Sequence, residues 1–521
     1  MTTKQPDLLY HSYFSIITTA DSNALSDGGA DEQDNVFLAS NYSSFDAETV
    51  SSPDIEFDSS TGRITAKATG TYLLVFIPSI TVSGGVGVTA RINKNGTNQV
   101  ALVNLVAFAS TDPISATCHR ILDLTAGDYI ELTIAATGTT SIQAQNGTSF
   151  VMLKANGDYA SLAQSGDGTA GATNTLEVIG DVDLAGSGNI VTNLKNITYA
   201  SGTGLLTPAN TRPFLLLATL MGASSTDSAE TSVGIYADGS LIDGASALIH
   251  KDDDPNEESY GLLKTLTGGE TVSGRYQGGA STKITTKKGT SFSVFDLSSN
   301  DGAETPGAFI SFAVAADSDA QTSGELNCFD EDLWTSYSTT THSAATGITY
   351  TSSDGTFVVA GAGKYLVLWN LVLGDSTNSS NRNALIKNGS TTVFNTPLMV
   401  HTSFDPMERT ICVILDASAG DSFTFKIQGI RGKIADGTSV TMVKIDNLKD
   451  LHVQSVPTDS LIADDFTINN FSANGLSPQH SRVESKQVPF LLGIPGPLSL
   501  RGRPSATTET PPNVSPGQKK N

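Results

Sequence analysis

One unit recurs three times along the chain, and this repetition limits the possible folds more than any other feature of the sequence. Three landmarks return in fixed order. The first is a tight turn: Lys94-Asn95-Gly96, Ala237-Asp238-Gly239 and Lys387-Asn388-Gly389. The second is a small-residue turn before an acid: Ala126-Gly127-Asp128, Gly268-Gly269-Glu270 and Ala419-Gly420-Asp421. The third is Gly147-Thr148-Ser149-Phe150, Gly289-Thr290-Ser291-Phe292 and Gly437-Thr438-Ser439-Val440. The glycines of the first and second landmarks lie 31, 30 and 31 residues apart, and those of the second and third 20, 20 and 17. Upstream, Gly70-Thr71-Tyr72 and Gly363-Lys364-Tyr365 each precede the first turn's glycine by 26 residues, and Arg212-Pro213-Phe214 takes that place at 27 in the middle copy.

Each landmark has a mechanical reading. Asn-Gly and Asp-Gly supply the positive φ angles that a tight hairpin turn needs. After Asp128 the apolar residues alternate as Ile130, Leu132 and Ile134, and after Asp421 as Phe423, Phe425 and Ile427. That period of two marks half-buried antiparallel strands. The runs Tyr72–Ile77, Phe214–Leu217 and Tyr365–Trp369 are almost continuously apolar. Such strands are covered on both faces, here by the opposing sheet and by a neighbouring subunit. No segment carries a helical stripe. Charged residues are only 16% of the 521, and 49 glycines punctuate the chain, a composition suited to many short strands joined by turns. The expected fold class is all-β.

Taken together, Gly-x-Tyr before an apolar strand, the Lys-Asn-Gly hairpin, Leu122–Asp128 and Leu415–Asp421 before alternating strands, and the closing Thr-Ser-Phe strand resemble the C1q/tumour-necrosis-factor jelly roll. The opening strand fits at Ser12–Ile16 and at Gly307–Ser311. The resemblance spans roughly 1–155, 196–298 and 305–447. Copy two departs most, because its upstream half is short and lacks the Gly-x-Tyr. The resemblance implies three tandem jelly-roll sandwiches, with members that assemble as trimers through apolar faces. Three stacked trimeric knobs are preferred over one chain folding its copies into a pseudo-trimer. The segment Thr173–Ile190 resembles the short β-prism shafts of bacteriophage fibres, and Leu461–Phe471 alternates similarly. The expected organisation is therefore sandwiches at 1–157, 196–300 and 301–450, β connectors at 158–195 and 451–475, and an extended arm at 476–521.

The arm differs in composition from everything before it. From Pro478 onwards, 44 residues hold 8 of the 19 prolines, and six basic against two acidic side chains leave a local +4. Proline removes donors and favours extended chain, while Val488–Leu500 is too apolar for a plain linker. Phe490, Leu491, Leu492 and Ile494, with Arg501 and Arg503, are the candidate anchor to a larger partner.

The whole chain carries −23, which opposes binding to nucleic acid through its surface. No apolar run is long enough to span a bilayer, and the first residues lack the pattern of a secretory leader. Three cysteines do not make a disulfide framework. The seven histidines lack metal-ligand spacing, Gly361–Tyr365 enters a strand rather than a phosphate loop, and no nucleophile elbow is present. No cofactor, metal or catalysis is expected. The acidic run Lys251–Glu258 reads as a solvated loop rather than a calcium site.

These features point to a non-enzymatic virion structural protein. The expectation is a homotrimeric head fibre or capsid decoration of a tailed bacteriophage, bound to capsid, portal or tail proteins through its C-terminal arm. The alternative is a tail fibre or spike that binds a host receptor or surface glycan, for which Trp334 and Tyr337 are the candidate contacts.

Overall fold

The computed structural model describes residues 12–446 apart from 26–33, 84–85, 97, 108–112, 137–140, 173, 186–188, 226–228, 250–255, 280–281, 299–307, 321–323, 375–379, 401–406 and 430–431. Residues 1–449 cluster as one compact unit. Within it the chain builds three antiparallel sandwiches with matching strand order, as the repeated landmarks require.

The inner sheet of each repeat contains four strands with fixed roles. In repeat 1 the order is edge (Cys118–Leu124), central (Gly70–Ile77), closing (Ser149–Lys154), opening (Tyr13–Thr18), then Ala47–Ser51. Repeat 2 has edge (Asn256–Leu266), central (Arg212–Ser224), closing (Ser291–Asp296), opening (Tyr159–Gln164), then Ile190–Lys195. Repeat 3 has edge (Met407–Ala417), central (Gly363–Gly374), closing (Ser439–Lys444), opening (Phe309–Val314), then Thr339–Thr346. In repeat 1, Pro78 follows Ile77 and the strand resumes only at Ser79–Val82, because proline has no N–H for the ladder. The outer sheets carry the hairpins of the first landmark and the alternating strands Tyr129–Ala136, Val272–Gly278 and Ser422–Gln428. Alternation buries one face: Ile130, Leu132 and Ile134 are all within 1% of full burial.

The spacing of the landmarks has a cause. Asn95 donates from Nδ2 to Asp128 Oδ1 at 2.8 Å and Asn388 to Asp421 Oδ2 at 2.8 Å, while the Thr271 N–H donates to Asp238 Oδ1 at 2.8 Å. The first turn thus clasps the second in every repeat. Asn95 and Gly96 take φ of 52° and 83°, and Asp238 and Gly239 take 46° and 79°, as expected. In repeat 3 the strands pair up to Asn388 and Thr391, and Gly389 alone supplies the positive φ, 57°. The threonine of the third landmark clasps a backbone unit at both ends. Thr148 Oγ1 donates to Ser79 O and accepts from Ser79 N, as Thr290 does with Met221 and Thr438 with Val372, at 3.0–3.1 Å.

Two expectations are corrected. Residues 158–195 are not a connector: Tyr159–Gln164 is the opening strand of repeat 2, paired with both Ser291–Asp296 and Ile190–Lys195. The second sandwich therefore begins near residue 158 rather than 196. The preference for knobs stacked along separate chains also fails, because the three repeats of one chain pack side by side around a shared core. The 451–475 connector and the 476–521 arm lie outside the described residues, as do Phe490, Leu491, Leu492, Ile494, Arg501 and Arg503.

Candidate functional site: the core shared by three repeats

The continuous apolar runs bury one face in their own sandwich and the other at the centre of the molecule. One cluster gathers equivalent residues from all three repeats: Leu73, Leu215 and Leu366; Val75, Leu217 and Leu368; Ile121, Leu263 and Ile414. None is more than 2% exposed. Full burial of each such side chain contributes about 1.5–3 kcal/mol, so this core is a principal source of cohesion between sandwiches. The covering surface expected from a neighbouring subunit is supplied by the next repeat. Met221 of repeat 2 also enters the core of repeat 1, and Val372 of repeat 3 that of repeat 2.

A polar seam repeats around this core. Each edge strand has an unpaired side, a liability for any sheet. The Ile121 N–H donates to Ser161 Oγ at 3.4 Å, Leu263 N–H to Ser311 Oγ at 3.2 Å, and Ile414 N–H to Ser15 Oγ at 3.3 Å. Repeat 1 thus leans on 2, 2 on 3, and 3 on 1. Ser15, Ser161 and Ser311 sit at the third position of the three opening strands. The sequence signal was a lone hydroxyl inside otherwise apolar strands.

The third landmark meets a neighbour in the same rotation. A Cβ at Gly147 would stand 2.6 Å from the Asn395 carbonyl oxygen of repeat 3, and one at Gly289 2.5 Å from the Leu102 carbonyl oxygen of repeat 1. At Gly437 it would come closer still to the Gly244 carbonyl oxygen of repeat 2. The following serine continues the contact: Ser149 Oγ donates to Cys412 O at 3.3 Å, and Ser291 Oγ pairs with His119 Nε2 at 3.1 Å. In repeat 3, Asn370 Nδ2 bridges Ser439 Oγ and Gly261 O, each at 2.6 Å.

At one end of the core the seam becomes charged. The equivalent hydroxyls of Thr117, Ser259 and Thr410 meet, with Ser259 Oγ 3.0 Å from both others. Glu408 accepts from the Ser259 N–H at 3.0 Å and from Thr410 Oγ1 at 2.8 Å. Burial raises the carboxyl pKa of Glu257 and of Glu408 above the usual range; Glu408 nearby raises Glu257 further, and Arg409 opposes the shift in both. Elsewhere His342 Nε2 of repeat 3 lies 2.6 Å from Asp243 Oδ2 of repeat 2.

Other sequence candidates fall into structural roles. Trp334 is 7% exposed, donates from Nε1 to Ala316 O at 3.0 Å and packs edge-on against Tyr337. The Tyr337 hydroxyl is bonded to that of Tyr350. Neither side chain is an exposed loop-tip contact. Of the acidic run, 251–255 lie outside the described residues, whereas Glu257 and Glu258 belong to an edge strand, and Glu258 Oε1 accepts from Val233 N at 3.0 Å. Tyr365 of the Gly361–Tyr365 segment is buried and donates its hydroxyl to Gly361 O at 2.7 Å.

The architecture is that of a protein made of jelly-roll sandwiches. Among solved structures, a tumour-necrosis-factor protein, Eiger from S. frugiperda, is similar over 28% of this chain and 91% of its own, at 14% identity and a TM-score of 0.19. A structure described as the triple jelly roll fold and turret assembly in an archaeal virus is similar over 82% of this chain and 91% of that chain, at 9% identity and a TM-score of 0.16. A structure of Sulfolobus Turreted Icosahedral Virus is similar over 82% and 92%, at 10% identity and a TM-score of 0.15. No protein family matches the chain, and no curated protein matches its sequence. The sandwich assignment rests on the strand orders.

Proposed function

We propose that the protein is a non-enzymatic structural component of a virion, a head fibre or capsid decoration of a tailed bacteriophage held by its C-terminal arm. The observation that carries this reading is the closed ring of three sandwiches around an apolar core. Its repeated features are spent on cohesion: the continuous strands fill the core, the serines cap edge strands, and the glycines admit the neighbour's backbone. Such a body suits a mechanical role in which stability of the assembled shape is the function.

On this reading the working unit is one chain rather than the three-chain trimer expected from the sequence, since the apolar faces that would join separate chains are already covered. The arm at 476–521, basic and proline-rich on an acidic body, supplies attachment to capsid, portal or tail proteins. Cryo-electron microscopy of the source virion tests this directly. The expected result is one three-lobed body per chain on the particle surface, with particles lacking residues 476–521 of this protein bare at those positions. Normal occupancy by the truncated chain would contradict the anchoring role, and absence of the full-length chain from virions would contradict the reading itself.

A further inference from the structure

Between repeats 1 and 2 lies a cleft of about 280 Å³. Repeat 1 lines it with Gln99–Leu102 and Arg120, and repeat 2 with Gln164, Val191 and Lys288. Arg120 sets its chemistry. This residue pairs with Leu74 of the central strand, as Leu262 pairs with Leu216 and Val413 with Val367. Leu262 and Val413 are fully buried core aliphatics, yet the same place in repeat 1 holds a guanidinium on a residue only 6% exposed. Among the described residues that guanidinium makes no hydrogen bond or ion pair, and no acid lines the cleft.

A buried cation without a partner is costly. The adjacent His119 is no counter-ion. Its ring nitrogens are held by Ser293 Oγ at 3.0 Å and Ser291 Oγ at 3.1 Å, and burial, with Arg120 beside it, depresses its pKa to about 3. Lys288 adds a second positive charge to the lining. On a chain of net charge −23, a lining with two cations and no acid among the described residues favours an anion. The nearby Asp167 stands outside the lining, accepting from the Lys288 N–H at 3.1 Å and paired with Lys287 at 3.5 Å. The rest of the lining is mixed: Val100, Leu122 and Val191 are apolar, and Gln99, Gln164 and Ser165 offer amide and hydroxyl groups. An inorganic anion would leave the apolar wall unused. A carboxylate can take two parallel hydrogen bonds from the guanidinium fork while its carbon frame covers that wall.

We propose that this cleft binds a small organic carboxylate, with Arg120 as its bidentate partner and Lys288 as a second positive contact. The site does not depend on the virion reading. Sugar acids and peptide C-termini share the required chemistry, so calorimetric titration of the full-length protein with N-acetylneuraminate, N-acetyl-leucine and inorganic sulfate separates the sources. At least one of the two carboxylates should saturate at millimolar concentration or below and bind more tightly than sulfate at equal ionic strength. Arg120→Leu copies the residue of repeat 2 and should fold with unreduced thermal stability while affinity falls about tenfold or more. Arg120→Lys keeps the charge without the fork and should also weaken binding. No saturable binding of either carboxylate, undiminished binding by either variant, or sulfate binding as tightly as the carboxylates would overturn the proposal.

Discussion

The Ile414 N–H donates to Ser15 Oγ at 3.3 Å across 399 residues of chain, and that bond closes the ring. Its two counterparts, Ile121 to Ser161 and Leu263 to Ser311, are shorter-range links in the same rotation. Because each amide belongs to an edge strand within a buried seam, losing the acceptor leaves an N–H unpaired. Ser15→Ala, Ser161→Ala and Ser311→Ala should each destabilise the fold by about 1–2 kcal/mol. Chemical denaturation of the single variants and the triple variant checks this, with the triple variant losing more than any single one.

The glycines of the third landmark should be intolerant for a reason the other turns lack. Gly289 combines φ of 107° with a Cβ position 2.5 Å from Leu102 O, whereas Gly239, at φ 79°, has nothing within 4 Å of its Cβ position. Gly239→Ala should cost about 1–2 kcal/mol of backbone strain. Gly289→Ala carries strain of that kind and also forces repeats 1 and 2 apart, so its melting temperature should fall clearly further.

The paired carboxylates at the end of the core make stability depend on pH. Both Glu257 and Glu408 have their pKa raised in the fold, first by burial. The folded state therefore holds protons that the unfolded state has released, and stability falls as pH rises from about 4.5 through the raised values. Acidification from pH 8 towards pH 5 should stabilise this seam. Glu257→Gln, permanently neutral, should be more stable than the parent at pH 8 by on the order of 1 kcal/mol and should flatten the pH profile. A parent and variant with parallel profiles would show that this pair is not the source.

The three thiols should be inert in the folded protein. Cys118, Cys328 and Cys412 are buried, and burial pushes their thiols up, that of Cys412 to about 12. Thiolate is the reactive form, so a thiol-specific reagent at pH 8 should label none of them until denaturant is added. Rapid labelling of Cys412, which lies in the shared core, would mean that the ring opens.

Much of the sandwich plan was legible because local chemistry repeats with it. Asn95 and Asp128 clasp each other, so their spacing is conserved by geometry across the three copies and can be seen without coordinates. Repeat 2 is less legible because Tyr159–Gln164 is separated from its central strand by a glycine-rich stretch that reads as a shaft, and only its pairing with Phe292 and Ser293 reveals the opening strand. The ring was legible only in part. Leu217 and Leu368 announce a strand covered on both faces, but a sequence does not say whether the cover comes from another chain or from the next repeat. Arg120 gave no local signal at all: its meaning lies in the contrast with Leu262 and Val413, which requires the strands to be superposed residue by residue.

Closure of the ring within one chain can be read by isotope-mixed cross-linking. Unlabelled and nitrogen-15-labelled chains would be unfolded together, refolded as an equimolar mixture, cross-linked and digested. Cross-linked peptides joining different repeats should then carry one isotope only, because the partners of each seam belong to the same chain. Inter-repeat peptides carrying both isotopes in statistical proportion would show that separate chains exchange repeats across the seams, and would contradict the account.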